Sequence, residues 1–296
     1  MIKHFTSAIV AVFFTAMVFA QTNSDALSFT REESDPLLRA TAGAGIATPG
    51  RLQWGAFHGS ASAAFAQESF AAGATYGYLG DKSLIGASVG WKPDWNISVS
   101  AGINYFAGPE VLSYKTHDLA ASLGVAYRVA QRLSIGLNAR YAVQSLSADI
   151  AKKGFSADLG LMYLPLDNLS FTAGVSTLGT KVKSEDGTAY SQPSMAYAGA
   201  WYSQPIGDFS ADASLSAEFG FAGDIAAAAA LGFHLPGDIF HINAAYRYAT
   251  KNSVLPSRLA LGVGTKLYGF TLDLTYNMMP AGKSAHCFSV GVGYAF

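Results

Sequence analysis

The chain has 296 residues, of which 50% are hydrophobic, 13% aromatic and only 13% charged, with 31 glycines, one cysteine and a formal net charge of -1. Soluble domains carry about 25% charged residues, so about half of the usual surface charge is missing, while the high apolar fraction excludes a disordered chain. The balance of 19 basic against 20 acidic residues removes the electrostatic case for a nucleic-acid partner, and the lone Cys287 excludes an internal disulfide and a thiolate metal site.

Residues 1–20 read as a secretory signal peptide. Lys3 and His4 give a short basic start, Ala8 to Ala20 is apolar, and Ala20 places a small residue before Gln21. The apolar run is shorter than the about 20 residues a spanning helix needs. Residues 21–68 follow as a turn-rich segment with a Gly-rich link and a short Ala-rich helix around Gly59 to Gln67. No later stretch approaches a transmembrane helix, so if the low charge reflects a membrane, the remaining spanning structure is a closed β-barrel.

From about Ser69 the chain alternates with a period of two, which is the signature of a strand. Phe209, Ala211, Ala213, Leu215, Ala217 and Phe219 share one face, and Ser210, Asp212, Ser214, Ser216 and Glu218 the other. Leu133 to Val143 and Phe270 to Asn277 repeat the pattern. Turn signals divide the chain into strands near 69–78, 84–91, 95–106, 114–129, 132–147, 154–163, 168–177, 193–204, 208–219, 224–234, 239–249, 257–267, 269–278 and 285–296. The fold class expected is all-β: a transmembrane antiparallel β-barrel of about fourteen strands over 69–296, the even count of a bacterial single-chain outer-membrane barrel. A soluble β-sandwich alternates in the same way, but several further features agree on a membrane barrel.

Connections after even-numbered strands are tight, as at Ala130-Gln131 and Pro205-Ile206-Gly207, whereas several after odd-numbered strands are long and polar, as in 178–192. Short turns on the periplasmic side and long loops outside are expected of such a barrel, which places both termini in the periplasm of a Gram-negative cell. Aromatic residues gather at strand ends, with Trp91, Trp95, Tyr127, Tyr163, Trp201, Phe240 and Phe270 beside the short turns and Tyr76, Tyr105, Tyr141, Tyr246 and Tyr276 toward the loops. Two such belts suit headgroup level.

With the apolar parity facing outer-membrane lipid, the other parity lines the lumen and carries Arg128, Arg140, Arg247, Arg258 and Lys266 against Asp158, Asp208, Asp212, Glu218 and Asp273. Equal numbers of each sign argue for internal pairing or a filled interior, since a strongly ion-selective pore shows rings of one sign. Many inward positions are Gly, Ala or Ser, which leaves room for residues 35–66 as a plug; a loose periplasmic tail is the alternative. No catalytic, cofactor-binding or metal residues are expected. Gly86-Ala87-Ser88-Val89-Gly90 matches a nucleophile elbow in letters, but that motif needs a strand-to-helix turn and here lies within an alternating strand. His58, His117, His234, His241 and His286 are scattered along the sequence without metal-ligand spacing.

Two segments carry a resemblance. Phe29-Thr-Arg-Glu-Glu-Ser-Asp-Pro-Leu-Leu-Arg-Ala-Thr-Ala-Gly-Ala-Gly-Ile-Ala47 resembles the start of PorV/PorQ-like outer-membrane proteins, and the remainder is similar to the FadL-type fourteen-stranded barrel to which they belong. Where such proteins carry an Asn-Pro-Ala turn, this chain reads Trp54-Gly-Ala-Phe-His-Gly-Ser60. Phe288, Val290, Val292, Tyr294 and Phe296 resemble the recognition signal of the outer-membrane assembly machinery. The resemblance implies an accessory to type IX secretion that receives cargo at the cell surface or, alternatively, a FadL-like conduit passing a hydrophobic small molecule through a plugged lumen and out sideways.

Overall fold

The computed structural model describes residues 26–57, 60–111, 114–147, 150–183, 189–236, 239–251, 253–279 and 286–296. The signal-peptide reading of 1–20 lies outside them. The chain forms strands β1 (Phe70–Tyr78), β2 (Ser83–Asp94), β3 (Ile97–Val111), β4 (Tyr114–Ala130), β5 (Leu133–Ser145), β6 (Ala151–Leu166) and β7 (Leu169–Gly179). A two-stranded sheet, β8 (Val182–Lys183) with β9 (Ala189–Tyr190), interrupts the series inside the long polar connection. It continues with β10 (Met195–Ile206), β11 (Phe209–Gly220), β12 (Ile225–His234), β13 (Phe240–Ala249), β14 (Arg258–Leu267), β15 (Phe270–Met278) and β16 (His286–Ala295). Leaving out β8 and β9, these strands form one closed antiparallel barrel of fourteen in which β1 pairs with β16, for instance Ala74 with Val292.

Alternation in the sequence becomes alternation of environment. On β5, Leu137 is exposed and its neighbours Asn138 and Arg140, on either side of outward-facing Ala139, are buried; on β11, Leu215 is exposed between buried Ser214 and Ser216. Large apolar side chains thus cover the outside, where only an oil-like surrounding makes their exposure favourable. One belt residue departs from its expected position. Trp201 pairs with inward-facing Ser214, and its indole donates to Asp212 Oδ2 at 3.3 Å, so Tyr202 is the outward ring at this height. The run Ala196-Tyr-Ala-Gly-Ala200 puts small residues on the outer face of β10, and pairing with β11 rather than side-chain size sets its parity.

Residues 26–57 and 60–66 occupy the lumen. The helix Pro36–Ala40 packs on β13 to β16, the 3-10 turn Ala44–Ala47 on β7 and β10 to β12, the turn Leu52–Trp54 on β1 to β3, and the helix Ser60–Ala63 on β4 to β6. Together these four short pieces reach every strand of the barrel wall. The first helix starts at a cap in which Asp35 accepts from the Leu37 N–H at 2.8 Å with proline at the next position, a combination that satisfies an orphan donor and pre-sets the backbone. Glycines on the wall make room for this packing. A Cβ at Gly90 would overlap the Leu52 carbonyl, and one at Gly102 the Phe57 ring.

The segment also runs the length of the barrel. Ala26, Leu27 and Phe29 pack against Leu79, Leu84, Phe106, Val182 and Cys287 near the long loops, whereas Leu52, Ala63 and Ala66 pack with Ala71 at the short-turn end. Phe296 lies at that same end, its N–H donating to the Phe70 carbonyl at 3.0 Å. Among the described residues the segment therefore starts near one rim and the last strand finishes at the other, while the N-terminus that was expected on the periplasmic side lies outside the described residues. Counting strands alone cannot reveal this, because the lumenal segment crosses the barrel before the first strand begins.

Candidate functional site

The lumen is held shut by ion pairs between the segment and the wall. Arg31 sets Nη2 2.8 Å from Glu218 of β11 and Nη1 3.0 Å from Asp224, and Arg247 of β13 grips the same Glu218 through both terminal nitrogens at 2.7 and 2.8 Å. Arg258 of β14 pairs with Glu33, whose backbone carbonyl also accepts from Arg39 Nε at 2.5 Å. Burial pushes the Glu33 carboxyl above the usual carboxylate range, with Arg258 and Arg247 pulling it back. Within the segment, Arg51 pairs with Asp35.

Wall side chains also satisfy backbone carbonyls of the plug, which would otherwise lose their partners on leaving water. Ser134 donates to Ala61, Ser170 to Ala47, and Arg128 to Ala64 at 2.8 Å while its guanidinium lies 4.8 Å from the Phe65 ring. Arg140 donates to the Phe57 carbonyl at 2.8 Å and pairs with Asp158 at 3.0 Å. Ser88 donates to the Gln53 carbonyl. Its hydroxyl is thus occupied in positioning the plug, and it lies in the middle of β2.

The other sequence-selected charges fall in two places. Asp212 and Asp273 stand at the short-turn end with His234 and His241 at 3.0 and 2.9 Å, and Lys266 pairs with Glu68 at 3.4 Å. Asp208, expected in the lumen, is instead exposed in the β10–β11 turn, because β10 stops at Ile206 and Gly207 takes a positive φ of 64°. His234 and His241 are not scattered. They are cross-strand partners with stacked rings 5.5 Å apart, although among the described residues no three side chains are placed to hold a metal ion. Phe288, Val290, Val292 and Tyr294 face outward on β16, and the Phe296 ring lies 5.3 Å from Phe70 at a tilt of 35°. Arg31, Glu33 and Asp224 were missed by the sequence reading, the first two because neither sits in a strand. The acidic and basic letters beside the proline of 31–36 are the signal for Arg31 and Glu33, and Asp224 opens the expected strand 224–234 on its inward parity.

The wall ladder shifts register at several points, and one of them lies between β6 and β7 at Asp158. Between Ala157 and Leu159 of β6, and between Val175 and Leu178 of β7, the ladder shifts register. Asp158 fills the gap, accepting from the Thr177 N–H at 2.6 Å and the Ser176 hydroxyl at 2.9 Å, and Thr177 adopts a φ of 58° that is uncommon for a β-branched residue. Past Thr177, β7 stays with β6 while β10 begins opposite Ser176, so the two strands separate toward the long loops. A cavity of about 600 Å³ occupies this separation. Its lining includes buried Arg31 and Asp224 as well as outward-facing Phe155 and Leu178, so residues of both faces of the wall border it.

No family model and no curated relative matches the sequence. Solved structures do. The monoaromatic hydrocarbon channel CymD aligns with a TM-score of 0.64 at 13% identity over 89% of this chain and 97% of its own. The toluene transporter TbuX of Ralstonia pickettii gives 0.57 at 12% identity over 90% and 98%, and a Pseudomonas aeruginosa FadL homologue gives 0.58 at 10% identity over 89% and 98%. These likenesses cover about nine-tenths of this chain, and at such identities they concern the fold. The chain has the fold of the FadL-type outer-membrane channels, a fourteen-stranded barrel filled by its own N-terminal segment.

Proposed function

We propose that this chain is an outer-membrane conduit for a hydrophobic small molecule, taken up at the long-loop end and released sideways through the cavity in the wall. The observation that carries this reading is the cavity between β6, β7 and the tips of β10 and β11, which is bordered by lipid-facing Phe155 and buried Arg31 while ion-paired residues 26–57 and 60–66 fill the axis. A hydrophilic solute needs a wet axial path; an apolar one loses nothing by leaving into lipid. The fold neighbours named for toluene and monoaromatic hydrocarbons support the same direction.

On this reading residues 1–20 direct export, the short turns face the periplasm, and Phe288 to Phe296 engage the assembly machinery. The secretion-accessory role implied by the PorV/PorQ resemblance stands second, since none of the three solved structures is named for secretion. The test is a deletion strain scored for uptake of radiolabelled butylbenzene and for release of surface proteins. Slower uptake with unchanged release supports the conduit. Unchanged uptake with impaired release overturns it.

A further inference from the structure

A group of lysines stands on the long-loop rim beside the start of β6. Lys152 and Lys153 lie in its first turn of pairing, and Lys181 and Lys183 flank Val182 at the short strand β8. Val182 is buried with Leu27, Phe29 and Phe106, and a Cβ at Gly154 of β6 would meet its side chain at 3.2 Å, so β8 lies against β6 with both flanking lysines exposed. The Thr180 N–H donates to the Phe155 carbonyl at 3.0 Å, and the Lys152 ammonium lies 4.5 Å from the Tyr190 ring of β9, which holds the small sheet in this place. Lys153, Lys181 and Lys183 are exposed, and among the described residues none of the three has a carboxylate partner. Counting Asp149, Glu185 and Asp186, which lie outside the described residues, these two connections still carry four lysines against three acids. The outer face that continues from Lys153 into the wall is apolar. Val143 is the cross-strand partner of Lys153, and the next outward rung pairs Tyr141 with Phe155, which is 64% exposed, at a ring separation of 4.7 Å.

We propose that this rim binds a membrane lipid with phosphates on its headgroup, the phosphorylated glycolipid of the outer leaflet, with the phosphates among Lys153, Lys181 and Lys183 and an acyl chain along Phe155 and Tyr141. The proposal takes from the conduit reading only the outward orientation of the long loops. Ammonium groups at headgroup level attract anionic lipid by about fivefold in affinity each, and three of them on flexible stems follow phosphates whose spacing is not fixed. A zwitterionic lipid brings a cation of its own beside its phosphate and gains less. An acidic protein segment matches the charge but not the oily rung beneath it, and a free phosphate ion touches neither ring.

The test is microscale thermophoresis of the full-length protein in detergent, titrated with diphosphoryl lipid A, with the same lipid stripped of both phosphates, and with inorganic pyrophosphate. Diphosphoryl lipid A is expected to bind about tenfold or more tightly than the dephosphorylated form. The triple substitution Lys153→Gln, Lys181→Gln and Lys183→Gln is expected to abolish that difference and leave the affinity for dephosphorylated lipid unchanged. Lys251→Gln, in the β13–β14 connection, is expected to keep it, and heat-modifiable gel migration verifies that both variants are folded. Equal affinity for the two lipids, a preference that survives in the folded triple variant, or pyrophosphate binding as tight as that of lipid A overturns the proposal. Orientation is decided separately by Lys251→Cys and a membrane-impermeant maleimide: modification on intact cells supports the glycolipid leaflet, and modification only after permeabilisation overturns the choice of lipid. Loss of the lipid preference with butylbenzene uptake intact removes the site and leaves the conduit, and the preference without uptake does the reverse.

Discussion

Arg31 of the lumenal segment holds its guanidinium 2.8 Å from the carboxylate of Glu218 on β11. The same carboxylate is the partner of Arg247, a side chain with no exposure at all, so a single acidic residue is shared between one cation from the plug and one from the wall, with Asp224 supplying the second negative charge. Glu218→Ala leaves both arginines without this partner. Removing one member of a buried pair costs about 3–5 kcal/mol, and a clear drop in the temperature of heat-modifiable migration is expected. Arg132→Ala serves as the control: its contact with Asp167 is 3.8 Å long and solvent-exposed, a kind of pair that contributes little, and no drop is expected.

Packing of plug against wall depends on bare backbone at a few inward positions. A side chain at Gly90 meets the Leu52 carbonyl. Gly90→Val is therefore expected to push the Leu52–Trp54 turn away from β2 and to raise sugar permeation in a liposome-swelling assay, whereas Ala87→Val, on the outward face of the same strand, leaves permeation at the wild-type level.

Removing residues 26–66 while retaining 1–25 and the barrel exposes a polar lumen in which Arg258 and Asp224 have lost their partners, while the wall pairs Arg247–Glu218 and Arg140–Asp158 remain. Single-channel recording in planar bilayers should then show an open aqueous conductance where the intact chain shows none. A closed trace from the assembled deletion protein contradicts the filling role of the segment.

The strands at the end of the chain give a separate test. Deleting Phe296 removes the ring packed against Phe70 and the last backbone pairing between β1 and the C-terminus. The amount of assembled, heat-modifiable protein in the outer membrane should fall, and unchanged assembly argues against a role for this residue in closure or recognition.

Much of the barrel was legible in the sequence because a period of two with one oily face leaves few other folds, and Leu215 between Ser214 and Ser216 shows how direct that reading is. The plug was legible only as space, in the small inward residues. Its own segment has no period to read, since short helices and turns packed against all strands obey the wall rather than a repeat. His234 and His241 look unrelated seven positions apart until the hairpin between β12 and β13 makes them partners. The break at Asp158 and Thr177 is likewise hidden, because a register shift belongs to two strands together and neither sequence alone records it. Parity misled at Trp201 and Asp208 for opposite reasons, one on a strand with small outward residues and one just beyond a strand's end.

The most direct measurement is the rate of butylbenzene uptake by intact cells of the deletion strain carrying the wild-type chain or Ala157→Trp. Ala157 lines the wall cavity from β6, and an indole there fills the passage without touching the ion pairs of the lumen. The account predicts rapid uptake through the wild-type protein, background uptake through the folded variant, and no sugar permeation through either. Equal uptake by both proteins would contradict it.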